Sequence, residues 1–82
     1  MSAAGTVPLK EIWAMLDRCA PGHRRKEREH NWIVFYKDRT FPRLPRGGHG
    51  EKNPSIQVGH VKQMVRHLGI EECARQAIER LR

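Results

Sequence analysis

Asn31-Trp32-Ile33-Val34-Phe35-Tyr36-Lys37 is the stretch on which the reading of the fold turns. It is an unbroken run of β-branched and aromatic side chains, the types that fit a pleated, half-buried surface. Successive side chains on a strand point to opposite faces, so the run carries two sets: Trp32, Val34 and Tyr36 on one face, Ile33 and Phe35 on the other. With Ile33 and Phe35 read as the inward pair, Trp32, Val34 and Tyr36 share the open face with His30, two residues earlier. The charged segment 23–29 precedes the strand, and basic strands guard sheet edges against pairing with other chains. It reads as an edge strand. Residues 37–40 make a short turn, and 40–44 return as a third strand. Pro42 has no backbone N–H to donate, so that strand belongs at an edge or carries a bulge. The expectation is a three-stranded antiparallel meander with 31–37 in the centre.

Helices flank the meander. Leu9, Ile12, Trp13, Leu16 and Cys19 recur at three- and four-residue steps and form one apolar stripe. This predicts a helix near 8–19, with Thr6 as N-cap, Pro8 in the first turn and Pro21-Gly22 as the stop. Val58, Val61, Met64, Val65 and Leu68 make a second stripe, predicting a helix over 59–68 closed by Gly69. Ile70, Cys73, Ala74, Ala77, Ile78 and Leu81 make a third, over 71–81, with Glu71 and Glu72 at its start and Arg80 and Arg82 at its end, as the helix dipole favours. The order α-β-β-β-α-α predicts an α+β domain with its helices on one face of the sheet, the layout of double-stranded-RNA-binding-like folds. The inward set is Leu9, Ile12, Leu16, Ile33, Phe35, Val61, Val65, Leu68 and Ile78. The stretch 45–54, rich in Gly and Pro, reads as a mobile loop that closes over a ligand.

Eighty-two residues suit one domain, 1–82, with 1–6 as a disordered lead-in and 71–82 as an additional helix. At this size a deep pocket is not expected, and function falls to a surface. There is no charged and apolar leader and no run long enough to span a membrane. Cys19 and Cys73 form no CxxC pair, which removes zinc-ribbon and thioredoxin readings. They read as two buried thiols in a reducing, cytoplasmic setting, or as a disulfide where their helices touch. The formal net charge is +7, and the segment between Gly22 and Gly50 alone holds eight basic and three acidic residues. A basic middle between near-neutral ends points to a polyanion surface formed by the sheet.

The segment Ile56-Gln57-Val58-Gly59-His60-Val61-Lys62-Gln63-Met64-Val65-Arg66-His67-Leu68-Gly69-Ile70 resembles the C-terminal helix of HicA-type (YcfA-like) toxins, with its apolar stripe and closing Gly-Ile. Leu44-Pro45 and the Gly- and His-containing loop resemble the stretch before that helix. Gly22 and the strand ending Val34-Phe35 resemble the N-terminal half. The likeness spans roughly residues 8–70. It implies a double-stranded-RNA-binding-like fold, a metal-independent endoribonuclease (mRNA interferase) acting on mRNA, and a HicB-type antitoxin as protein partner in a type II toxin–antitoxin system. The family carries a Gly-Ser-His tripeptide on its central strand, the histidine being catalytic. Counted without gaps, His30-Asn31-Trp32 takes that place and Trp32 the catalytic slot. A shift of two residues puts His30 there instead.

RNA cleavage without a metal needs a base for the 2′-hydroxyl proton, an acid for the leaving oxygen, and cations for the developing phosphate charge. Histidine titrates near neutrality, which makes His30 the candidate acid/base and His49 a second. Arg24, Lys26 and Arg28, of one parity on the edge strand, with Arg43 and Arg46 on the far side, form the candidate phosphate-binding set. Trp32 and Tyr36 are the candidate stacking platforms for unpaired bases. His60 and His67 lie one heptad apart with no third ligand, so neither metal nor cofactor is read. Two further readings remain open: a non-catalytic RNA-binding module on the same scaffold, and a protein-interaction domain whose last helix pairs with another chain.

Overall fold

The computed structural model describes residues 5–47 and 52–82. In chain order the elements are β1 (Thr6–Pro8), α1 (Leu9–Cys19), β2 (Arg24–Glu27), β3 (Asn31–Tyr36), β4 (Arg39–Pro45), β5 (Ser55–Gln57), α2 (Val58–Leu68), α3 (Glu71–Ala77) and a final 3-10 turn, Glu79–Leu81. The molecule is α+β, and its main sheet is the antiparallel meander β2-β3-β4 with β3 central. Both flanking strands are edges. The ladder between β3 and β4 is irregular at Trp32–Val34, opposite the segment that holds Pro42. There the missing N–H is accommodated by a bulge.

The face of the meander that packs on the helices is the reverse of the one expected. Val34 is fully buried, and Trp32 and Tyr36 pack against the core, whereas Ile33 and Phe35 are only half-buried. Phe41 and Leu44 join Val34 inside. Two features decide the parity. The ring of Trp13, on α1, meets Trp32 edge-on at 5.1 Å, and the Arg25 guanidinium lies 4.3 Å over Trp13. Two indoles and a stacked cation need the width available between helix and sheet, and both β3 sets are apolar enough to satisfy either side. The remaining expected inward residues, Leu9, Ile12, Leu16, Val61, Val65, Leu68 and Ile78, are buried in one cluster.

A second, two-stranded sheet has no periodic signal in the sequence. β1 pairs with β5 antiparallel, Val7 opposite Ile56, and both are buried. Thr6 is therefore a strand residue and not a lead-in or an N-cap; Pro8 occupies the N-cap of α1. Two free N–H groups of α1's first turn are satisfied from across the chain: Leu9 donates to the Pro54 carbonyl at 2.8 Å and Lys10 to Asn53 Oδ1 at 2.9 Å. Arg80 donates to the Thr6 carbonyl at 2.9 Å, tying the chain's two ends together.

The third stripe is not one helix. α3 stops at Ala77, Ile78 turns extended, and the 3-10 turn brings Leu81 down onto α2. A break there lets both Ile78 and Leu81 be buried. The cysteines are not free thiols. α1 and α3 touch, Cys19 and Cys73 stand 5.7 Å apart at Cα, and they form a disulfide.

α2 ends at Gly69, whose φ of 75° is left-handed. In this cap Gly69 donates to the Arg66 carbonyl and Ile70 to Val65. A Cβ there meets no neighbour, so its cost is conformational alone. Gly69→Ala is expected to lower stability by about 1 kcal/mol, read as a denaturation midpoint shifted without a change in slope.

Candidate nucleic-acid interface on the open sheet face

Directly opposed residues of antiparallel strands share a face. Arg24 is opposite Phe35 and Lys26 opposite Ile33. On the other side Thr40 is opposite Phe35. Phe41 and Leu44 both point inward with only two residues between them, so the bulge turns Pro42 and Arg43 outward. The open face thus carries Arg24 and Lys26, then Ile33 and Phe35, then Thr40, Pro42 and Arg43. Among the described residues it has three cations, no carboxylate, and a half-exposed aromatic ring in the central strand. The alternating residues of β2 are spent elsewhere: Arg25 on Trp13, and Glu27 on Arg46.

The residues singled out in the sequence separate accordingly. Arg24, Lys26 and Arg43 are brought together. Arg46 is engaged, its Nε donating to Glu27 Oε2 at 2.6 Å and its Nη1 to the Glu29 carbonyl at 2.9 Å, which fastens the β2–β3 turn to the end of β4. Arg28 lies in that turn, its backbone N–H donating to the Asn31 carbonyl. Trp32 and Tyr36 are on the helix side, and the open-face placement expected for them is corrected. The expectation failed because choosing Ile33 and Phe35 as inward necessarily turned the other set outward. Phe35, the aromatic that does stand on the basic face, was missed for the same reason. The signal that finds it is the spacing of Phe41 and Leu44: two large apolar residues three apart in a strand mark a bulge with both facing the core.

His30 sits in the turn before β3, its side chain 78% exposed, with Nε2 3.8 Å from Glu29 Oε1. Its carbonyl accepts from the Arg46 backbone N–H. Its charged neighbour is thus a carboxylate, and the Arg46 guanidinium is bound to Glu27 and to the Glu29 backbone. His49 and the rest of 48–51, the middle of the glycine-rich stretch, lie outside the described residues. Among the described residues, no helix is long and apolar enough to cross a membrane.

Comparison of the chain with models of known protein families, with characterised proteins and with solved structures finds no match.

Proposed function

We propose that this protein binds single-stranded RNA on the open face of β2-β3-β4 and serves as a non-catalytic binding module. The observation that carries this reading is a surface with no carboxylate among the described residues, on which Phe35 lies between Arg24 and Thr40. An aromatic ring on an open sheet stacks on an unpaired base whatever its identity, and flanking cations hold the phosphates. The Thr40 hydroxyl, next to the ring, both donates and accepts, as a ribose 2′-hydroxyl requires. The order α1-β2-β3-β4-α2 supports a double-stranded-RNA-binding-like reading with α3 added, and the HicA-type resemblance supports RNA over DNA as the ligand. Trp32 in the family's catalytic slot, packed against the core, supports binding without cleavage.

Three phosphate contacts on a single strand give a slope of log K against log salt of about −2. Anisotropy of a labelled single-stranded RNA should show that slope, and Arg24→Ala should reduce its magnitude by about 0.7. A duplex of the same sequence bound more tightly, or an affinity independent of salt, would overturn the proposal.

A second reading is a HicA-type endoribonuclease partnered by a HicB-type antitoxin. Its specific support is the exposed imidazole of His30, the side-chain type suited to acid–base work, with Glu29 Oε1 3.8 Å away. Incubating the strand with the protein in chelator separates the two readings. Intact RNA favours the module; cleavage abolished by His30→Ala favours the enzyme.

A further inference from the structure

On the helix side, away from the sheet's open face, α2, α3 and the 3-10 turn enclose a cleft of about 360 Å³. Its floor is apolar, formed by Val65 and Leu81, which are 1% and 3% exposed. Its rim carries Lys62, Arg66, Arg75 and Arg82 and, among the described residues, one side-chain carboxylate, Glu71. Glu71 is shared between Arg66 at 3.6 Å and Arg75 at 3.3 Å, so one negative charge faces two guanidinium groups. Arg82 spends its Nε on the Arg75 carbonyl at 3.3 Å, and neither it nor Lys62 has a carboxylate partner among the described residues. Three of the four cations are arginines, and their rigid forks suit the paired oxygens of a phosphate.

We propose that this cleft binds a phosphate monoester, borne either by a small molecule such as a mononucleotide or by the phosphorylated end of a nucleic-acid strand. The surplus of positive charge matches a group that bears roughly −1.5 to −2 at neutral pH, more than a backbone diester offers. The volume lies in the range of small-ligand sites. The cleft shares no residue with the sheet face, so it stands whether or not that face binds RNA.

The test is an amide-resolved NMR titration of the full chain with AMP, adenosine and inorganic phosphate, then with an oligonucleotide bearing or lacking a 5′-phosphate. AMP should shift Lys62, Arg66, Arg75 and Leu81, and adenosine should not. Lys62→Glu and Arg82→Glu, both at exposed positions, should each weaken AMP by about tenfold or more with an unchanged circular dichroism spectrum. Lys26→Glu, on the sheet, should leave AMP binding as it is. AMP bound as tightly as the phosphorylated oligonucleotide identifies the small molecule as the ligand. A stronger phosphorylated oligonucleotide, with its hydroxyl counterpart silent at these residues, identifies the strand end. No shift at these residues with millimolar AMP, or full affinity in folded Lys62→Glu and Arg82→Glu, overturns the proposal.

Discussion

Val34→Asp is expected to unfold the domain, whereas Phe35→Asp, one residue on, is expected to leave it folded and to abolish RNA binding. Val34 is fully buried in the central strand, between Arg25 on β2 and Phe41 on β4. A carboxylate there has no partner in the core, and an uncompensated buried charge costs several kcal/mol even after the chain relaxes. A domain of this size holds only about 4–12 kcal/mol in all. Phe35 faces outward, and an aspartate at that position reaches water. It removes the stacking platform, worth about 1–3 kcal/mol per base, and puts a negative charge between Arg24 and Thr40. Urea denaturation read beside RNA anisotropy separates the two effects. Folded Val34→Asp with unfolded Phe35→Asp would mean that the sheet presents its other face to the helices.

The second large effect concerns the disulfide. Cys19 and Cys73 are 54 residues apart in the chain, and the bridge closes a loop that includes the whole sheet and α2. Constraining a loop of that length in the unfolded chain stabilises the native state by about 4 kcal/mol in the chain-entropy model. Reduction, or Cys73→Ser, should therefore remove a large part of the stability and lower the urea midpoint correspondingly. α3 is short, seven residues, and its hold on α1 runs through this bridge and a few apolar contacts. The loss should appear first there, as faster amide exchange in 71–81 than in β3 once the bridge is open. Equal midpoints with and without reductant would mean that packing alone holds α3. Cytosolic thiol pools oppose such a bridge, so the prediction also states how far compartment alters this protein's stability.

The sequence by itself determined the elements with strong periodicity and their order: α1, the meander with β3 in its centre, and α2 closed at Gly69. Those assignments rest on local chemistry, on apolar steps of three and four, β-branched runs, a proline that calls for an edge or a bulge and a glycine that tolerates positive φ. It also placed the basic surplus in the sheet, and separated Arg24 and Lys26 from Arg25 by simple alternation. The tertiary structure alone decided which face of β3 is inside. Both sets are apolar, so burial does not discriminate between them until Trp13 arrives from α1 and requires room beside Trp32. That choice exchanged Trp32 and Tyr36 for Phe35 on the basic face. The β1–β5 pair was equally illegible, since three residues are too few for a period and their partners lie about fifty residues away. The cysteine pairing and the split of the last helix have the same origin. Each depends on where α3 meets α1 and α2, and contact between segments distant in the chain leaves no mark on the local pattern of either.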